Sequence, residues 1–226
     1  MPDKLRGVLL DVDGTLVDSN DQHAHAWKDA LAEAGIDVPF DAVRRAIGMG
    51  GDKLLPQVAH IEKDSPQGEQ ASKRRGEIFK AKYLPQVKAF PQTHDLLQRI
   101  KDTGLTLAVA SSSEKEEVDA LLQIAGVEQL IDAMSTSQDT ESSKPAPQPI
   151  EVALKKASLQ PGQALMLGDT PYDIEAAAKA HVQTIALRSG GWSNSDLGGA
   201  LAVYADPADL LAQFAQSPFH AAEHTP

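Results

Sequence analysis

The chain has 226 residues, 42% of them apolar, enough for one sizeable core or for a core with a small subdomain. Its formal charge of -11, from 21 Lys and Arg against 32 Asp and Glu, excludes a general affinity for nucleic acid or an anionic membrane; an anionic substrate must be held by a local device. Cys is absent, which removes disulfides, thiol nucleophiles and thiolate ligands and suits a reducing compartment.

The leader Met1 to Gly7 carries charge, and the apolar run Val8 to Leu10 is interrupted at Asp11. That run is too short for a signal peptide or a membrane span, so a soluble cytoplasmic chain is expected. The stretch "GVLLDVDGT" reads as a buried strand ending in a polar turn. The same shape recurs in Gly104 to Ser113, Leu130 to Asp139 and Gln163 to Thr170, with Val182 to Leu187 as a further strand. Helical patterns follow at Glu114 to Ala125, Gln148 to Ala157 and Tyr172 to Ala180. Strands alternating with helices predict an α/β fold whose parallel sheet is covered on both faces and binds ligands at the carboxyl ends of its strands. Asp11 and Asp13, Ser111 to Ser113, and Asp169 all fall at such ends.

From about Asn20 to Leu84 only helical patterns occur, which predicts an all-helical insertion over the sheet's active edge. The expected division is a core of residues 1–17 and 86–226 with a cap of residues 18–85, jointed near Val17 to Asn20 and Leu84 to Phe90. Beyond Trp192 a Gly-, Ser- and Ala-rich stretch precedes a last helical piece, "DPADLLAQFAQ", and a tail, "SPFHAAEHTP", expected to fray.

Asp11 and Asp13, two positions apart at a strand end, crowd negative charge unless a cation or a shared proton resolves it. Mg²⁺ takes one or two carboxylates and fills its octahedron with water and phosphate, and Asp11, Asp13 and Asp169 fit that recipe. A calcium EF-hand does not fit: Gly14 stands at loop position four instead of six, and Gln22 replaces the bidentate Glu at position twelve. A carboxylate can also attack phosphorus while a neighbouring acid serves the leaving oxygen. Lys144 in "SSKPAP" could supply the extra positive charge, Ser111 with the Ser112 and Ser113 amides a phosphate cradle, and Asp173 an orienting acceptor for Lys144 or for a metal-bound water.

"DVDGTLVDS", Ser111 after "LAVA", Lys144 in "KPAP" and "GDTPYD" together resemble the four ordered motifs of the haloacid dehalogenase superfamily. The resemblance implies a Rossmann-like parallel sheet core with an inserted all-helical cap subdomain, and Mg²⁺ as cofactor. It implies Asp11 as nucleophile and metal ligand, Asp13 as general acid/base and ligand through its backbone carbonyl, and Asp169 as metal ligand. Ser111 and Lys144 would bind phosphate.

Other residues carry weaker expectations. Asp18 is expected to cap the first insertion helix or bond the hinge, and Thr15 to tie the turn or touch the nucleophile. Ser112 and Ser113 could cap the following helix. His23 and Trp27 in "HAHAW" share a helix face, and their placement resembles the beta-phosphoglucomutase and sugar phosphatase branch, in which that histidine lies near the site. His25, His60, His94 and His181 are expected on the surface or in packing. "IGMGGDKLL" reads as a closing loop, with Gly48 allowing close backbone approach and Lys53 offering charge. Arg74 and Arg75 read as a solvated helix face, "SGGW" as a flexible loop and Trp192 as packing.

The expected activity is a Mg²⁺-dependent phosphatase acting on a small phosphorylated metabolite, of sugar phosphate or phosphoglycolate type, through an aspartyl phosphate. A phosphosugar mutase is the alternative; Gly168 and Gly51, where its acidic ligand and phosphate-binding arginine would align, count against it. Asp13 counts against a dehalogenase and a phosphonatase, and the complete motif set against a non-catalytic binding protein. A monomer is compatible with the sequence, which leaves the oligomeric state open.

Overall fold

A computed structural model describes residues 4–220. The first apolar run forms β1 (Gly7–Leu10), buried at every residue, as a strand covered on both faces requires. A tight turn follows, in which the amides of Thr15, Leu16 and Val17 all reach Val12 O, and it ends in the short strand β2 (Val17–Asp18). From there the described chain is helical: α1 (Asn20–Glu33), α2 (Phe40–Ala46), α3 (Gly51–Ala59) and α4 (Pro66–Ile78), which runs into a π-helical turn at Phe79–Tyr83. It returns at β3 (Lys88–Ala89), which pairs antiparallel with β2, so the insertion leaves and re-enters through one ribbon with Asp18 opposite Lys88. The remaining elements are α5 (Thr93–Asp102), β4 (Thr106–Ala110), α6 (Lys115–Ala125), β5 (Ala133–Ser135), α7 (Gln148–Lys156), β6 (Ala164–Gly168), α8 (Pro171–Lys179), β7 (Gln183–Leu187), β8 (Ala202–Tyr204) and α9 (Pro207–Ala212).

The six-stranded sheet has the order β5-β4-β1-β6-β7-β8, and every pair is parallel. It is a Rossmann-like α/β sheet. The chain passes from β1 to β4 on one side and to β6 on the other, so β1 lies at the topological switch point where such sheets bind ligands. Leu10 pairs with Val109 and with Leu167, and this register brings Asp11, Ser111 and Asp169 to the same edge. Leu10, Val109 and Leu167 belong to one core layer, with Leu97, Ile100 and Leu121 from the covering helices. Leu9, Met166, Ile150 and Ala177 belong to the layer on the other face. The insertion has a small core of its own around Trp27, Leu31, Val43 and Leu54. Among the described residues, no helix is long and apolar enough to cross a membrane.

Several details differ from the sequence reading. β8 lies in the Gly-, Ser- and Ala-rich stretch, and α5 completes a helix between β3 and β4. Gly51 to Leu55 opens α3, so only the preceding residues of "IGMGGDKLL" are loop. Of the expected frayed tail, Phe219 is fully buried beside Phe214, while residues 221–226 lie outside the described residues, as do residues 1–3 of the leader. Asp18 does not cap α1, whose N-cap is Ser19, without a side-chain capping bond; of its two expected places it takes the hinge, as an exposed rung of the ribbon.

Candidate active site

Asp11 follows β1 directly, and its amide continues the ladder by donating to Leu167 O at 2.9 Å. Lys144, 1% exposed at the end of the loop before α7, places Nζ 2.5 Å from Asp11 Oδ1 and 2.7 Å from Asp173 Oδ1. Asp173 is held by a capping box at the start of α8, where its Oδ2 accepts from the Thr170 amide and hydroxyl. One carboxylate thus fixes the helix end and orients the lysine.

Asp169 is fully buried and accepts from Thr15 Oγ1 and Asn20 Nδ2, each at 3.0 Å, while Thr15 Oγ1 also lies 3.3 Å from Asp11 Oδ2. Thr15 therefore ties the turn to both acids. Two glycines make the packing possible. Gly14 has φ +78°, and a Cβ there would come within 2.2 Å of Asp169 Oδ2; on Gly190 it would come within 1.7 Å of the same atom.

The electrostatics follow from burial. Burial pushes the Asp11 carboxyl up to about 7; Lys144 opposes this, while Asp173 and Asp13 add to it. Asp169 is raised well above its ordinary value by burial, then by Asp11 and Asp173, against the hydrogen bonds from Asn20 and Thr15. Burial works to discharge Lys144, but Asp11 and Asp173 outweigh it and raise its pKa. The cluster has more acid than the one buried cation can balance.

Asp11, Asp169 and Asp173 each offer a carboxylate oxygen within 4.8 Å of the others. The buried Asn20 Oδ1 beside them has no hydrogen-bond partner. An all-oxygen donor set of this kind fits a hard divalent ion such as Mg²⁺. Asp173 is engaged by Lys144 and by the Thr170 capping box, and Asp11 and Asp169 share the Thr15 hydroxyl between them. The Asp13 carbonyl takes none of the hydrogen bonds that close the turn, which go to Val12 O and Val17 O.

The Asp13 carboxylate turns the other way. Its Oδ1 accepts from Ser19 Oγ at 2.5 Å and from His23 Nε2 at 2.7 Å, and the His23 ring stacks on Phe79 at 4.0 Å. Burial acts to raise Asp13, but His23, Ser19 and, more weakly, Arg75 outweigh it and hold it below its ordinary value. Asp11, Asp13, His23, Gly48 and Ser111 to Ser113 line one cavity of about 40 Å³, roofed by Trp27, Ile47 and Met49. Ser111 Oγ accepts from the Ser113 amide, and Ser112 Oγ from the Lys144 amide, so both serines organise loops. Neither Ser112 nor Ser113 caps α6, whose N-cap is Glu114. Gly48, with φ +107°, passes so close to Thr170 that a Cβ would lie 2.8 Å from its methyl group.

Other sequence expectations need correction. Lys53 does not reach the cavity: its side chain is 45% exposed and pairs loosely with the adjacent Asp52, because α3 turns it outward. "SGGW" is a site wall, since Gly190 packs on Asp169, Ser189 Oγ donates to Gly14 O, and Arg44 of α2 donates to Gly190 O. Arg74 lies on a solvated face, but Arg75 does not: it pairs with Glu117 at 2.7 Å and lies over the Trp27 ring at 5.2 Å. Ser19, Asn20 and Ser143 were also missed; Ser143 Oγ accepts from the Gly50 amide and so docks the insertion's loop beside Lys144. Ser19 at the end of the first motif, with Asn20 directly after it, was the available signal for the first two.

A profile of the haloacid dehalogenase-like hydrolases matches residues 8–187. The chain belongs to this family. Among haloacid dehalogenase-like relatives, a phosphoglycolate phosphatase of Yersinia pestis is 31% identical over 216 residues, covering 93% of this chain and 90% of that protein. SUPPRESSOR OF QUENCHING 1, a chloroplastic protein of Arabidopsis thaliana, is 32% identical over 190 residues; the match takes in 82% of this chain but only 18% of the plant protein. The crystal structure of a hydrolase from Pseudomonas syringae superposes with a TM-score of 0.86 at 29% identity, covering 93% of this chain and 98% of that one.

Proposed function

We propose that this haloacid dehalogenase-like hydrolase is a Mg²⁺-dependent, cytoplasmic phosphomonoesterase for a small phosphorylated metabolite, of sugar phosphate or phosphoglycolate type. The observation that carries the reading is Lys144 clamped between Asp11 and Asp173 inside an acid-rich cluster. That cluster lacks balancing positive charge, and a hard cation together with a phosphate completes the pattern. Helices 20–78 act as its cap.

Asp11 attacks phosphorus as the ester P–O bond breaks, and Asp13 gives its proton to the leaving oxygen. Asp13 then takes a proton from water, whose oxygen attacks the aspartyl phosphate and frees Asp11 and inorganic phosphate. Lys144 orients Asp11 and neutralises incoming phosphate charge, and Ser111 receives a phosphate oxygen. Asp11, Asp169 and the Asp13 carbonyl would hold Mg²⁺, which would supply charge stabilisation for the transferring phosphoryl group. Held ionised by His23 and Ser19, Asp13 is prepared for the base half; the acid half requires it to leave them.

The test is phosphate release from a metabolite panel with and without Mg²⁺, alongside Asp11→Asn. Equal release without metal, or full rate in the variant, contradicts the reading. Supplying beta-glucose 1-phosphate and assaying its 6-phosphate tests the mutase alternative. Against that alternative, a Cβ on Gly168 would lie 2.7 Å from the Asp173 carboxylate, and one on Gly51 would lie 3.2 Å from Trp27.

A further inference from the structure

The wall facing the leaving group carries no free cation. Trp27, Ile47 and Met49 roof the cavity, His23 is committed to Asp13, and Lys144 to Asp11 and Asp173. One further cation lies nearby, behind the roof. Arg75 sits over the Trp27 ring that lines the cavity, but Arg75 itself does not line it. Its Nη1 donates to Glu117 Oε2 of α6 at 2.7 Å, with side chains 16% and 12% exposed, so its charge is answered locally.

The pairing is incomplete. Arg75 Nε and Glu117 Oε1 are both buried without hydrogen-bond partners, where a two-pronged Arg–carboxylate contact would have used them. Arg75 thus retains unspent donors next to the leaving-group wall. A carboxylate or second phosphate on the substrate would meet the charge of this guanidinium across the Trp27 ring, and Glu117 balances that charge.

We infer that Glu117 sets substrate choice by occupying Arg75, so that the wild-type site favours phosphomonoesters whose leaving group is uncharged over those carrying a second anion. Glu117 is a positioning residue in this account, acting on specificity through Arg75. The inference rests on the phosphomonoesterase reading and sharpens it, separating neutral sugar phosphates from phosphorylated acids. It also gives the unequal fates of Arg74 and Arg75 a purpose.

The experiment compares kcat/KM for 2-phosphoglycolate and for isobutyl phosphate, its uncharged isostere, with Mg²⁺ present and with p-nitrophenyl phosphate turnover as a common reference. Wild type should favour isobutyl phosphate. Glu117→Gln should raise the phosphoglycolate-to-isobutyl ratio by about tenfold, the scale of one nearby charge left unbalanced. Adding Arg75→Gln to Glu117→Gln should return the ratio to the wild-type value, which a purely structural loss at the insertion–core contact would not do. A wild-type preference for phosphoglycolate, an unchanged ratio in Glu117→Gln, or no reversal in the double variant overturns the inference while the phosphatase stands. No turnover of any of the three esters removes the phosphatase reading itself, and this inference with it.

Discussion

Gly190 lies against the carboxylate of Asp169 so closely that a methyl group on it would fall 1.7 Å from Oδ2. The loop after β7 is thereby a wall of the acid cluster, and Arg44 ties that wall to α2 of the insertion through Gly190 O at 2.8 Å.

Gly190→Ala should displace the Asp169 carboxylate. A Mg²⁺ titration of phosphatase activity is expected to show a half-saturating concentration raised about tenfold or more, with a stability loss of about 1–3 kcal/mol from overpacking. Unchanged metal dependence would show that Asp169 is not a ligand.

Lys144→Met removes the one buried ammonium facing Asp11 and Asp173. Breaking a buried pair from one side leaves charge uncompensated, at a cost of about 3–5 kcal/mol, or a fall in Tm of roughly 10 °C in metal-free protein. A thermal melt checks this, and activity should be lost with it.

The buried acids also fix a pH dependence. Asp11 is raised from 3.8 to about 7 and Asp169 is raised as well, so the folded protein holds protons that the unfolded chain has released. Between those two pH values the stability of metal-free protein falls as pH rises. Asp13 has the opposite sign, and its contribution is lost as pH falls below its ordinary value. Because ligands must be deprotonated, the Tm gain on adding Mg²⁺ should be larger at about pH 7.5 than at about pH 5.5. An equal gain at both would exclude Asp11 and Asp169 as the metal site.

His23→Ala removes the hydrogen bond that helps hold Asp13 below its ordinary value. The basic limb of the kcat/KM profile, set by Asp13 as the acid of the first step, should move to higher pH, and kcat should fall by about ten- to a hundredfold, within the range that acid–base catalysis supplies. A lower kcat with an unmoved limb would leave His23 a packing residue against Phe79.

The sheet was legible where an apolar run is buried on both faces and ends in polar residues, as at β1, β4, β6 and β7. It was not legible at β8, a three-residue edge strand amid Gly and Ala, or at β2 and β3, whose two-residue ribbon has no periodicity to detect. Asp11, Asp169 and Lys144 stood out because their chemistry demands company and the parallel topology puts strand ends together. Arg75 did not, because adjacent arginines look alike until packing sends Arg74 to Glu33 and Arg75 to Glu117. Lys53 misled for the same reason: a cation near a glycine loop has no direction until α3 gives it one. Gly190 shows the limit most clearly, since a residue without a side chain offers the sequence reader nothing but its position after a strand.

The central claim is that Asp11 carries the phosphoryl group. Acid quenching of the enzyme during turnover of p-nitrophenyl phosphate with Mg²⁺, followed by peptide mass spectrometry, tests it directly. The account predicts a phosphoryl group on the peptide bearing Asp11, more of it in Asp13→Asn, where water attack is slowed, and none in Asp11→Asn. Turnover with no phosphorylated peptide in either wild type or Asp13→Asn, or a phosphoryl group on another residue, would contradict it.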